Sequence, residues 1–88
     1  MEVNMSTIQV SFVNDTSTTQ TFSVFDMKSP DPTTSVFQDI LEPNQKIGPF
    51  QFETGDDVFG QIRWVSQFNG QSTVNVQDGD IVNMSITG

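Results

Sequence analysis

The segment QIRWVSQFNGQSTVNVQDGDIVNMSIT, residues 61–87, decides the fold, because apolar and polar residues alternate through most of it. Alternation with a period of two is typical of β-strands that bury one face. Asn69-Gly70 and Asp78-Gly79 interrupt the alternation, and dipeptides of this kind often connect the two strands of a hairpin. The segment therefore predicts three consecutive strands joined by tight turns, which is a three-stranded antiparallel meander.

The length of each turn follows from the need to keep apolar residues of adjacent strands on one face. A two-residue loop would place Trp64 opposite Asn75, and a slip of one residue moves every side chain to the other face. Three-residue loops at 68–70 and 77–79, each ending in a Gly in the left-handed region, bring the apolar sets together. The predicted pairs are Trp64–Val74, Ile62–Val76, Val74–Val82 and Ser72–Met84.

This register assigns the two faces of the predicted meander. The core face comprises Ile62, Trp64, Val74, Val76, Val82, Met84 and Ile86. The other face comprises Gln61, Arg63, Thr73, Asn75, Gln77, Asn83 and Ser85. The second set consists of amides, hydroxyls and one arginine, so we expect a polar surface with almost no charge.

The rest of the chain also reads as short strands separated by turns. Alternation predicts strands at 8–12 and 22–25, and an interrupted strand at 46–52 in which Gly48-Pro49 indicates a bulge or a sheet edge. Residues 36–41 fit a short helix by spacing, but their β-branched and aromatic content favours a buried strand, and we take the strand.

About seven short strands with regular turn signals, without a clear helix or a parallel βαβ pattern, predict an all-β domain. We expect one small antiparallel β-sandwich over residues 1–88, immunoglobulin-like or jelly-roll-like, that ends in the meander. The Cys…Trp…Cys pattern of antibody domains is missing, so the pattern predicts the architecture alone.

The composition argues against several classes of function. The chain has no His, Cys or Tyr, and only three basic residues against eleven acids, a net charge of −8. Without those side chains we expect no enzyme, no cofactor and no metal centre. Nucleic acid is an unfavourable partner because phosphate binding needs several Lys or Arg. No apolar run reaches the length of a membrane span and residues 1–5 show no signal-peptide pattern, so we expect neither, and the compartment is undetermined.

The densest acidic groups are Asp56-Asp57 and Asp78-Gly79-Asp80. Paired carboxylates are the catalysts of glycoside hydrolysis, and pooled carboxylates bind calcium. The spacing matches no calcium loop, however, and Asp and Gly are also the residues that make turns. We interpret these acids as turn residues, with loop calcium binding left open.

The uncharged polar face is the candidate site, and three interpretations of it stay open: a solvated face, a self-association surface and a ligand surface. The candidate contact residues are Gln61, Arg63, Asn75, Gln77 and Asn83. We expect a non-enzymatic structural or binding module that forms a homo-oligomer through this face. The alternative is a carbohydrate-binding module, in which the amides bind sugar hydroxyls and Phe59 stacks on the ring. A glycan or another protein is therefore the alternative partner.

Overall fold

The computed structural model describes residues 6–67 and 70–85, and within them the chain forms seven β-strands and no helix. The strands are β1 Ser6–Val13, β2 Gln20–Asp26, β3 Ser35–Leu41, β4 Lys46–Gly55, β5 Gly60–Ser66, β6 Gly70–Val76 and β7 Ile81–Asn83. They form a three-stranded sheet in the order β4-β1-β7, sheet A, and a four-stranded sheet in the order β3-β2-β5-β6, sheet B. The prediction of an all-β chain with about seven strands is confirmed.

Sheet A is mixed, which corrects the expectation of a purely antiparallel fold. β1 pairs antiparallel with β4 but parallel with β7, where Phe12 lies beside Val82. Sheet B is antiparallel throughout, since β2 pairs antiparallel with both β3 and β5, and β5 pairs antiparallel with β6.

The three-stranded meander is wrong at its last strand, because β7 leaves sheet B and joins β1 in sheet A. The reason lies in the turn before β7, which bonds to β1. Gln9 N donates to Asp78 Oδ1 at 2.8 Å, and Gly79 N donates to Gln9 O at 2.8 Å. Ser11 N then donates to Asp80 O at 3.0 Å. The pairs predicted between β6 and β7 are therefore absent.

The hairpin of β5 and β6 forms, in a register two residues from the predicted one. Trp64 pairs with Ser72, and Ile62 pairs with Val74. Ser66 pairs with Gly70, so the loop is 67–69 and not 68–70, and Phe68 and Asn69 lie outside the described residues. A shift of two leaves every side chain on its predicted face. Gly70 and Gly79 both have φ of 87°, which confirms the left-handed conformation expected at both turns.

One hydrophobic core takes residues from both sheets. Its buried members are Ile8, Val10, Phe12, Phe22, Val24, Leu41, Phe52, Ile62, Trp64, Val76, Val82 and Met84. Val74 is half-buried against this core, and Ile86, also predicted as a core residue, lies outside the described residues. Trp64 is only 4% exposed, and its Nε1 donates to Met84 O at 3.2 Å, which confirms its inward position.

The ambiguous segment is a strand, β3, but an edge strand and not a buried one, because only Leu41 is buried and Phe37 is half-buried. β4 is also an edge strand, and its register shifts opposite Gly48-Pro49, as expected of a bulge at an edge. Gly48 has φ of 109°, a conformation that strains any residue with a side chain, and a Cβ there would also lie only 3.1 Å from Ser11 Cα.

The strand order differs from both named examples of the predicted architecture. In immunoglobulin domains the first two strands are neighbours in one sheet and the last two pair in the other. Here β1 and β2 lie in different sheets, and so do β6 and β7. A jelly roll has eight strands, and the described residues form seven.

Candidate functional site

The outer surface of sheet B is the polar face that the alternation predicts. Because Ile62 and Trp64 point into the core, Arg63 between them points outwards, and so does Thr73, its partner on β6. We call this surface the amide face and define it by Gln61, Arg63, Gln71, Thr73 and Asn75, with Phe25 of β2 beside it.

Arg63 lies at the centre of the amide face, paired with Phe25 on one side and Thr73 on the other. Its guanidinium carbon lies 4.4 Å from the centroid of the Phe25 ring, which is the geometry of a cation–π contact. Its Nη1 donates to Gln71 Oε1 at 2.7 Å. The guanidinium thus contacts one ring and one amide of the neighbouring strands.

The amides of the face also bond to each other across the hairpin. Gln61 pairs with Asn75 in the register, and Gln61 Nε2 donates to Asn75 Oδ1 at 3.3 Å. These bonds are solvent-exposed, so each contributes little to folding stability. Their effect is to orient donors and acceptors on the surface.

Among the described residues that the register places on the outer side of sheet B, Arg63 is the only charged one. The others are Thr21, Ser23, Phe25, Ser35, Gln38, Ile40, Gln61, Val65, Gln71, Thr73 and Asn75. A protein of net charge −8 therefore has one sheet face whose described outer residues include no carboxylate. Repulsion between the acids of two copies of this protein is therefore reduced where this face is turned towards the other copy.

The five predicted contact residues do not all lie on one surface. Gln61, Arg63 and Asn75 lie together on the amide face. Gln77 follows the end of β6, where its backbone N donates to Asp80 Oδ2 at 2.8 Å. Asn83 is exposed on β7 and belongs to sheet A, where it pairs with Val13. The prediction placed Asn83 with the others because it assigned β7 to the meander.

Three residues of the site were not among the predicted contacts: Thr73, which was predicted only as a member of the polar face, Gln71 and Phe25. Gln71 is two residues from Thr73 on β6, so its side chain lies on the same face. The observed register, two residues from the predicted one, brings Gln71 opposite Val65 and next to Arg63. Phe25 lies at an outward position of β2, but nothing in the sequence indicates that β2 is the strand next to β5. Only the pairing of β2 with β5 brings the ring under Arg63.

Phe59, the aromatic predicted for sugar stacking, lies in the bend before β5 and not on the strand. The Nζ of Lys28 stands 4.0 Å from the centroid of its ring. The same Nζ bonds to Asp57 Oδ2 at 2.6 Å, Phe59 O at 2.9 Å and Thr54 O at 3.4 Å. We call these four residues the Lys28 cluster; it joins the turn after β2 to the loop after β4.

The turn acids bond to their own chain. Asp57 belongs to the Lys28 cluster, Asp78 accepts from Gln9 N, and Asp80 accepts from Gln77 N. Across 6–67 and 70–85 no three carboxylates stand close enough to hold a metal ion. The same residues form no pocket. The acids thus act as the turn residues that their sequence context indicates.

Comparison of the chain with protein-family models, curated proteins and solved structures gives no match. None of the described residues belongs to a helix that is long and apolar enough to cross a membrane. The amide face and the Lys28 cluster are therefore the two regions whose charge and geometry bear on function.

Proposed function

We propose that this protein is a non-enzymatic structural or binding module that associates with itself through the amide face. The observation that carries the proposal is the absence of a carboxylate from the described outer residues of sheet B in a chain with eleven acids. Contact through the turns that carry Asp31, Asp56 and Asp78 would bring acids of both copies together, whereas contact here does not.

The chemistry of the face suits contact with protein. Amide side chains both donate and accept hydrogen bonds, so they can pair with the same groups on another copy. Arg63 has five N–H donors, and among the described residues its side chain donates a hydrogen bond to Gln71 alone. Its guanidinium already contacts Phe25 and Gln71, which reduces the side-chain freedom that would be lost on binding.

The body that presents this face is, in our proposal, a β-sandwich with its own strand order. Inward residues of sheet A, such as Phe12 and Phe52, belong to the same buried cluster as Phe22 and Trp64 of sheet B. Two sheets that bury their inner faces against each other leave their outer faces for solvent or for partners.

Carbohydrate binding is the weaker alternative. A sugar ring stacks on the open face of an aromatic side chain, yet Arg63 lies over Phe25 and Lys28 lies over Phe59. The described residues also form no pocket. Binding of the protein to a glycan array would favour this alternative, and an array without hits would count against it.

Arg63→Ala tests self-association, and Lys46→Ala is its matched control. Lys46 is exposed on β4 of sheet A, so its removal changes the net charge equally without touching the amide face. We expect Arg63→Ala to lower the weight-average mass at high protein concentration in sedimentation equilibrium, and Lys46→Ala to leave it unchanged. Equal masses for Arg63→Ala and the wild type would refute the role of the face.

A further inference from the structure

β6 forms one edge of sheet B, and it lacks the features that keep edge strands from pairing. Unpaired backbone groups on an edge strand are a template for another strand, and proteins commonly block them with charges, proline, bulges or short length. β6 pairs with β5 over seven consecutive residues without a register shift. Its sequence, GQSTVNV, contains no charged residue and no proline.

The other three edges are blocked. β7 has only three residues. β4 carries Pro49 together with Lys46 and Glu53, and its register with β1 shifts twice. β3 has a register shift against β2, and Asp39 occupies an inward position opposite Phe22, so an added strand would meet its carboxylate. The contrast singles out β6 among the edges of the described sheets.

The hydrogen-bond pattern shows which backbone groups of β6 are directed outwards. Gln61 O accepts from Met27 N, and Gln67 N donates to Thr21 O, so the odd-numbered residues of β5 direct their backbone groups towards β2. The even-numbered ones therefore bond to the even-numbered residues of β6. The N–H and C=O groups of Gln71, Thr73 and Asn75 then point to the open edge, and all three residues are exposed.

We propose that the β6 edge pairs antiparallel with the β6 edge of a second copy, around a two-fold axis at Thr73. Only the odd-numbered residues of β6 direct their backbone N–H and C=O groups to the edge, so odd-numbered residues of the two copies must lie opposite each other. A two-fold axis at Thr73 pairs all three of these residues in each copy. Thr73 then faces Thr73 of the partner, and Gln71 faces Asn75 of the partner, with about six backbone hydrogen bonds formed. Threonine pairs of this kind stabilise antiparallel sheets.

Charge favours a second copy as the occupant of the edge. Neither β6 nor the neighbouring β5 carries a carboxylate, and Arg63 is the only charge on both strands. Asp78 and Asp80 lie beyond the C-terminal end of β6, so the antiparallel arrangement directs them towards the uncharged Gly70 end of the other copy. The edge contact uses backbone groups. It places the amide faces of the two copies side by side and does not require them to touch each other.

Thr73→Pro is the decisive variant. The N–H that it removes points to the edge and not to β5, so proline is compatible with the folded monomer, as it is on other edge strands. Thr73→Val keeps the N–H and the branched side chain and is the matched control. We expect Thr73→Pro to raise the dimer dissociation constant at least about tenfold, since it removes hydrogen bonds at the symmetry centre. Thr73→Val should stay within about twofold, measured by sedimentation velocity.

Amide hydrogen exchange on the wild type tests the same contact without any variant. In the dimer, exchange at Gln71, Thr73 and Asn75 should slow as protein concentration rises from micromolar to millimolar. Ser72 and Val74, which bond to β5, should be protected at every concentration. Fast exchange at the three odd positions throughout, or a folded Thr73→Pro with the wild-type dissociation constant, would overturn the edge contact. So would a monomeric wild type that binds only foreign strand peptides.

The edge contact and the amide-face contact can be tested independently of each other. Arg63→Ala should remove larger assemblies and leave the edge dimer, whereas Thr73→Pro should remove the edge dimer. If Arg63→Ala changes nothing while Thr73→Pro dissociates the dimer, the edge proposal stands and the face proposal falls. The reverse result removes the edge proposal alone. Circular dichroism of each variant verifies that the strands are intact, and Asn75→Pro replaces Thr73→Pro if the latter does not fold.

Discussion

Lys28 and Arg63 are both cations placed over a phenylalanine ring, at 4.0 Å and 4.4 Å from the centroid, yet their surroundings differ. The Lys28 ammonium has a carboxylate and two carbonyl oxygens around it, which match the three donors that it carries. Within residues 6–67 and 70–85, the Arg63 guanidinium has one amide oxygen for its five donors. The first cation is committed to its own chain, and the second has donors left for other molecules.

In our proposal, this difference separates a structural region from a contact region. The Lys28 cluster ties two loops that come from different sheets, and buried Asp26 lies directly beside it at the end of β2. The amide face has exposed hydrogen bonds that tie neighbouring strands already joined by backbone pairing. Loss of a side chain should therefore lower folding stability in the first region and association in the second.

Asp26→Ala should have the largest effect on stability. Asp26 is 5% exposed, and its carboxylate accepts hydrogen bonds from Lys28 N and Glu53 N, both at 3.0 Å. Alanine leaves these backbone donors without a partner, which should lower the free energy of unfolding by about 2–4 kcal/mol. Urea unfolding followed by the fluorescence of Trp64, the single tryptophan, measures it. Asp26→Asn keeps one acceptor oxygen and should lose less; equal stability of Asp26→Ala and wild type would contradict the assignment.

Lys28→Ala and Arg63→Ala compare the two cations directly. Lys28→Ala should lower the free energy of unfolding by about 1–2 kcal/mol, because it removes the cation–π contact and the bonds that join the two loops. Arg63→Ala should lower it by about 0.5 kcal/mol, since its hydrogen bond is exposed. The same urea titration measures both. A larger loss for Arg63→Ala than for Lys28→Ala would reverse the distinction between the structural and the contact region.

The smallest effect concerns Asp31, in the loop that follows Lys28. Side-chain hydrogen bonds from Thr33, and then from Thr34, lower the pKa of Asp31 below its usual 3.8. A carboxylate with a lowered folded pKa adds stability above its unfolded pKa, and this contribution is lost as pH falls through the folded pKa. An NMR titration should therefore place the Asp31 pKa below 3.8, and Thr33→Val should raise it. An unchanged pKa in Thr33→Val would show that the Thr33 hydroxyl is not the cause.

Much of the fold could be predicted because strand alternation is a local property. The alternation of Ile62 and Trp64 with Gln61 and Arg63 assigned the inner and outer sides of β5, and both assignments hold in the structure. The glycine turns were predictable for the same reason, since Gly70 has the positive φ that its position requires. The register of the β5–β6 hairpin was missed by two residues, a shift to which the parity of the side chains is insensitive.

The candidate site was predicted in part. Gln61, Arg63 and Asn75 lie together because they belong to one hairpin. Phe25 joins them through the pairing of β2 with β5, a contact between residues far apart in the sequence. Asn83 is absent from the face because β7 lies in sheet A. The alternation of Val82 with Asn83 fits a strand in either sheet, so the sequence pattern could not show which sheet β7 joins.

The sequence by itself determined which residues face the core, where the chain turns, and that one polar surface lacks acids, because these properties depend on side-chain type and on a period of two. Only the tertiary structure decided which strands are neighbours. Asp78 and Gly79 bond to Gln9, 69 residues away from Asp78, and this contact directs β7 to sheet A. An Asp-Gly turn that closes a hairpin and one that docks on a distant strand have the same local sequence, and the partner of the carboxylate distinguishes them.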